Sequence, residues 1–390
     1  LKNLVIALSL IVVGCGGDSA PPRTQPGSLP QIATARADGT WQVDRPDVDS
    51  YVQAQMLRER IPGASIAVVH AGQVVYAKSY GYADADARLP MRPELRLDLG
   101  SISKQFLSLA VMMLVEEGRI GLDDRISLYL GEAGPPGWKD ITVRHLLSHT
   151  AGLPSLPDDA FFRSIDAPGA TTEAAMLASF RSDPLLFPPG TSWYYSSVGY
   201  DLLGFIVSRV TAHPYGEFIQ QRIFTPLGMT SARFIAGSND PAGTAIGYEV
   251  ADGAWQPEQL SSGAKDYLGT GGGGIQMSAL DMARWEAALD AGTLVSPASW
   301  NLMWSPAPAA VTPPDDYDWG TAYGFGWFLQ TLPNGDRVVS HSGGMPGFTD
   351  EFIHYRDTRW GVVLLTNLGD DLPDPQKIAR QVGVLFETTR

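Results

Sequence analysis

Runs of β-branched and aromatic residues lie near both ends of this chain, with helical patterns between them, and this distribution limits the possible folds more than any other feature. Near the start, SIAVVHAGQVVYAKSYGYAD holds two such runs separated by His70-Ala71-Gly72-Gln73, a hairpin signal. Near the other end come GFGWFLQTL, DRVVSHSGG across the turn Asn334-Gly335, TDEFIHYRD and WGVVLLTNL. Before the first hairpin, Val48, Val52 and Met56 recur at helical spacing up to a stop at Pro62-Gly63. After it, Ser101 to Gly118 reads as a strong helix, apolar on most faces and therefore buried, with a glycine at its end. Residues 130 to 240 show helical patterns such as ATTEAAMLASF and VGYDLLGFIVSRV, broken by proline-rich loops and without paired strands. Pro375 to Glu387 is helical again. Distant strand-forming segments of this kind predict one α/β body, about 45–129 and 245–390, carrying an all-helical insertion over about 130–244.

Composition narrows the class. The 390 residues suffice for a large core, and one cysteine excludes a disulfide scaffold. With 44% hydrophobic residues, 42 glycines and 29 prolines the chain is globular and loop-rich. A formal charge of −14 repels polyanions and argues against nonspecific nucleic-acid binding.

Residues 1–15, LKNLVIALSLIVVGC, place Lys2 before an apolar run and end on the sole cysteine. They read as a signal peptide (residues 1–14), too short in its apolar part to span a membrane. The VVGC string resembles the lipobox of bacterial lipoproteins, which implies that Cys15 is acylated and that the mature protein is held at the cell envelope, periplasmic or outer face, by lipid alone. A free structural thiol is the alternative. Residues 15–44, rich in Pro, Gly, Ser and Thr, suit a flexible tether. The folded part is expected from about Arg45.

The search for chemistry starts with the histidines. His145 and His149 stand four apart in RHLLSHTAGL, but no glutamate follows His145 and no third ligand is tied to the pair, so a turn with both rings hydrogen-bonded to backbone is preferred to a metal site. GTGGGG at 269–274 lacks the Lys-Ser/Thr ending of a phosphate loop and suits a tight turn with close backbone approach. No cofactor is called for. A G-x-S-x-G elbow is absent. S-x-x-K occurs twice, at Ser101–Lys104 and Ser262–Lys265. The first opens the buried helix, which puts hydroxyl and amine one turn apart at the positive end of the helix. The second sits among GAKDYLGTGGGG, where no helix is expected to fix the pair. Serine needs a base to attack a carbonyl, and only burial frees a lysine amine for that role at neutral pH. A tyrosine could share the proton load. Tyr195-Ser196-Ser197 in WYYSSVGYDLLG supplies one, although Tyr195 could equally be an ordinary half-buried aromatic. The third element, Val338 to Gly344, is a strand ending in glycines whose edge could pair with a substrate.

These elements, in this order, resemble the penicillin-recognising serine hydrolases, in particular the class C β-lactamase, DD-peptidase and esterase family. IPGASIAVVHAGQVVYAKSYGYAD, HLLSHTAGLP, PPGTSWYYSSVGYDLLG, RIFTPLGM, GGGGIQMSALDMARW, YGFGW and SHSGGMPGF extend the match from about Ile61 to Asn367. The resemblance implies an antiparallel sheet flanked by helices, with Ser101 as acylated nucleophile, Lys104 as proton acceptor and Tyr195 as second general acid/base. It implies substrate binding by Ser197, His341, Gly343 and Gly344, with the amides of Ser101 and Gly344 as oxyanion hole. His341 stands where lactamases have lysine, and Ser197 where many members have asparagine; both departures move weight from β-lactamase towards esterase or peptidase action on a small ester, amide or D-amino-acid peptide. Ser197 is expected to bond Lys104 still. His341, if it faces the cleft and not solvent, is expected to gain charge near pH 6 to 7 and draw in anionic substrates. A class C type β-lactamase and a non-catalytic wall-binding or partner-binding module are the alternatives. Oligomeric state is left open.

Overall fold

The computed structural model describes residues 44–131, 137–182, 184–235, 243–307, 320–369 and 374–387. The signal peptide, Cys15 and all but the last residue of the tether lie outside them.

Thirteen strands are present among the described residues: β1 (Gly63–His70), β2 (Gln73–Asp84), β3 (Leu89–Pro90), β4 (Arg96–Asp98), β5 (Arg233–Phe234), β6 (Tyr248–Ala251), β7 (Ala254–Pro257), β8 (Ile275–Ser278), β9 (Ala322–Tyr323), β10 (Phe328–Thr331), β11 (Arg337–Met345), β12 (Phe348–Tyr355) and β13 (Trp360–Thr366). Eight form one sheet in the order β3-β2-β1-β13-β12-β11-β10-β9, with every pair antiparallel. The seam between β1 and β13 joins segments from the two ends of the chain, in a register running from Ala64 opposite Thr366 to His70 opposite Trp360. All of β13 and nearly all of β1 are buried. That explains their unbroken apolar runs, because both faces of the sheet are covered. The first hairpin turns at Ala71 and Gly72, whose φ values of 51° and 75° suit the twist of the flanking strands.

Twelve α-helices among the described residues surround the sheet: α1 (Pro46–Glu59), α2 (Ser103–Glu116), α3 (Ser127–Leu130), α4 (Val143–Leu147), α5 (Asp159–Arg163), α6 (Glu173–Phe180), α7 (Ser197–Thr211), α8 (Tyr215–Ile219), α9 (Ser262–Leu268), α10 (Ala279–Ala291), α11 (Pro297–Met303) and α12 (Pro375–Glu387). On one face α1 and α12 pack Val48, Val52, Ile378 and Val382 against Ile66, Val68, Val362 and Leu364. On the other, α2, α7 and α10 share a larger core with Ala67, Val69, Phe352 and Val363. Alternation along each strand divides the sheet between these two cores.

The sequence reading missed several elements. Strands β4, β5 and β8 form a small antiparallel sheet, and β6 pairs with β7. Residues around Ser262, expected to lack a helix, form α9, which the Ser261 hydroxyl caps by accepting from Ala264 N–H at 3.2 Å.

Candidate active site

Ser101 sits in a single 3₁₀ turn, Gly100–Ile102, that leads directly into α2. Gly100 has φ 48°, and a β carbon there would come 2.7 Å from the Gly344 carbonyl oxygen and 2.8 Å from its nitrogen. Only glycine lets the start of the helix lie this close against β11, and the approach brings Ser101 beside Gly344. Gly343 is pressed from the same side, since its β carbon would meet Leu99 O at 2.1 Å, whereas a β carbon on the exposed Gly344 would meet nothing within 4 Å. One edge of β11 carries β10 only over Arg337–Ser340. From His341 to Met345 the strand pairs with β12 alone, so among the described residues no strand occupies the other edge next to Ser101.

Lys104 lies one turn along, with no solvent exposure. Its Nζ is 3.0 Å from Ser101 Oγ and donates to Gly272 O at 2.8 Å. Burial pulls its pKa down to about 7, and the negative charge of Asp201 opposes that fall. The amine is therefore substantially neutral at physiological pH, as an ordinary lysine is not. The glycine run at 269–274 makes the close approach expected of it: a β carbon on Gly271 would strike Tyr200 O at 2.2 Å, and one on Gly272 would lie 3.2 Å from Lys104 Nζ.

Tyr195 is partly exposed, and its ring centroid is 5.0 Å from Lys104 Nζ. The Tyr200 ring, at 5.5 Å, also borders the amine. Ser197 opens α7 behind the Ser196 cap. Its expected bond to Lys104 is not formed; Ser101 and the Gly272 carbonyl are the partners of the amine.

His341 corrects a further expectation. It is 2% exposed, so it does not face solvent. Its Nδ1 lies 2.7 Å from Ser342 O and its Nε2 3.0 Å from Tyr323 Oη. A carbonyl only accepts, so Nδ1 carries the proton and the Tyr323 hydroxyl donates to Nε2. Burial, reinforced by Lys104, holds the pKa down at about 3. His341 therefore gains no charge between pH 6 and 7.

The two histidines spaced four apart each accept a backbone amide at Nδ1, while the His149 Nε2 is buried without a partner among the described residues. His145 Nδ1 accepts from Thr142 N–H at 3.2 Å, and His149 Nδ1 from Ser196 N–H at 3.1 Å. No cluster of His, Cys, Asp or Glu among the described residues could hold a metal ion. The sequence reading missed Asp201. Its Oδ1 accepts from Thr270 Oγ1 at 2.7 Å and Gly272 N–H at 3.3 Å, and burial raises its pKa to about 6. An acid inside the apolar pattern YDLLG was the available signal.

A helix-borne serine against a buried lysine, on an antiparallel sheet with a free strand edge, defines the class: a serine hydrolase of the β-lactamase and penicillin-binding superfamily. The Beta-lactamase family model matches residues 48–385, and the chain belongs to that family. Penicillin-binding protein 4* of Bacillus subtilis (strain 168) is 31% identical over 329 residues, covering 81% of this chain and 70% of that protein. Protein flp of Staphylococcus aureus (strain N315) is 29% identical over 339 residues, 83% of this chain and 63% of its own length. The octameric penicillin-binding protein homologue from Pyrococcus abyssi superposes with a TM-score of 0.77 at 30% identity, over 89% of this chain and 78% of that one.

Proposed function

We propose that this hydrolase works through an acyl-enzyme on Ser101, acting on a small ester, amide or D-amino-acid peptide. The observation that carries the reading is the buried Lys104 amine, 3.0 Å from Ser101 Oγ, with its pKa lowered to about 7. In the forward step the Ser101 hydroxyl gives its proton to Lys104 as Oγ attacks the carbonyl carbon. The oxyanion that forms is met by the N–H groups of Ser101 and Gly344. Tyr195 passes a proton to the leaving group as the bond to it breaks, and water then releases the acyl group through the same two proton carriers. The free edge of β11 takes an extended substrate along Gly343 and Gly344.

The neutral His341 sharpens the substrate class. Lactamases place a lysine at this position; here a buried, uncharged ring stands in its place, so this part of the strand offers no fixed positive charge to a substrate carboxylate. Uncharged esters and amides are accordingly preferred to β-lactams. The chain's place at the cell envelope, through a lipid on Cys15, belongs to the same proposal. Detergent-phase partitioning lost on Cys15→Ser tests it.

A fluorophosphonate probe, followed by nitrophenyl esters, nitrocefin and a D-Ala-D-Ala peptide, tests the reading as a whole. Labelling of the wild type and none of Ser101→Ala is expected, with esters turned over faster than nitrocefin. An unlabelled wild type with a normal melting curve would leave a binding module.

A further inference from the structure

His149 occupies a conformation that few side chains adopt. Its φ is 59°, in the left-handed region, and it is 1% exposed. From there it holds both neighbours of Tyr195. The backbone carbonyl of His149 accepts from Tyr194 N–H at 3.0 Å, and its Nδ1 accepts from Ser196 N–H at 3.1 Å. The His149 ring also lies 4.3 Å, centroid to centroid, from the Tyr195 ring. Ser196 in turn fixes where α7 begins, since its hydroxyl accepts from Gly199 N–H at 3.0 Å and donates to Pro154 O at 2.6 Å. One residue thus ties the segment bearing the phenol to the start of the helix behind it.

We propose that His149 is a positioning residue, whose Nδ1 lone pair and left-handed backbone together hold Tyr195 against Lys104. The bond requires the tautomer with its proton on Nε2, because a protonated Nδ1 has nothing with which to accept the Ser196 amide. Burial above all pushes the pKa of His149 well below the ordinary histidine value, so the ring stays uncharged. The inference rests on the role given to Tyr195 above.

Asparagine and glycine both tolerate this backbone, but only asparagine offers an acceptor. The experiment measures kcat and KM for a nitrophenyl ester, with melting curves, in wild type, H149G, H149N, Y195F and the double variant H149G/Y195F. H149G is expected to lose about 10²-fold in kcat with KM within about threefold, and H149N to recover at least about tenfold of that loss. In the Y195F background H149G should cost less than about threefold more, because the group it positions is already disabled. A full additional loss in that background, or an H149N protein of native melting temperature as slow as Y195F, would overturn the inference. Should H149G fail to fold, the H149N result decides alone. Y195F at the wild-type rate would defeat the role of Tyr195 itself; an impaired Y195F beside an unimpaired H149G would defeat only the role of His149.

Discussion

The chain carries the same four-residue pattern twice in nearly the same local setting, and only one copy has its lysine buried. Ser101–Lys104 begins in the turn that opens α2, and Ser262–Lys265 opens α9. Both therefore put a hydroxyl and an amine one turn apart near a helix N-terminus. They differ in what covers them. The glycine run and the aromatic rings of Tyr195 and Tyr200 close over Lys104, which has no exposure, whereas Ser262 and Lys265 both face solvent. Motif and helix together supply only proximity. Desolvation turns the amine into a base, because it penalises the ammonium form.

The sharpest way to break this contrast is to remove each serine. Ser101→Ala should abolish probe labelling and lower kcat by at least about 10⁴-fold, while Ser262→Ala leaves ester turnover within about twofold of wild type. Comparable losses in the two variants would show that burial does not select between the copies. Next come the amines. Lys104→Arg should slow acylation by about 10²-fold or more, since guanidinium does not give up its proton, and Lys265→Arg should change nothing measurable by stopped-flow. A smaller effect follows from pH. Below about 7 Lys104 holds its proton and cannot accept another, so kcat/KM for an uncharged ester should fall roughly tenfold per pH unit. Asp201 raises the Lys104 pKa, so Asp201→Asn should move this limb to lower pH; a limb unmoved, or moved upward, would dissociate Asp201 from the base. The smallest effect is a null one. With His341 held neutral, any change in KM for a carboxylate-bearing ester between about pH 5.5 and 8 should be the same within about twofold in the wild type and in His341→Gln. A KM that drops in mild acid only in the wild type would restore a charged His341.

Much of the fold was legible because its signals are local. The Ala71-Gly72 turn, the period of α1 and the unbroken apolar runs of β1 and β13 each follow from neighbouring residues. The missed strands β5 to β8 are two to four residues long, and pairing with a partner, rather than their own composition, makes them strands. In the site, Ser101 and Lys104 could be read from spacing, and Tyr195 and Gly344 from their motifs. Asp201 and the Gly272 carbonyl could not, since a backbone oxygen leaves no mark in a sequence and a lone acid in a helical pattern has several explanations. His149 was expected to hydrogen-bond to backbone, but the amide its Nδ1 holds, that of Ser196, is 47 positions away.

By itself, then, the sequence determined the hydroxyl and amine one turn apart, the hairpins, and the glycines that allow one backbone to lie on another. The tertiary structure decided which amine is dry, which histidine is uncharged, and which edge of β11 stays open. Spacing along a helix or strand is a property of consecutive residues, whereas the cost of carrying a charge depends on every segment that excludes water from it, and here those segments come from Gly100, Tyr195, Gly272 and His341, far apart along the chain.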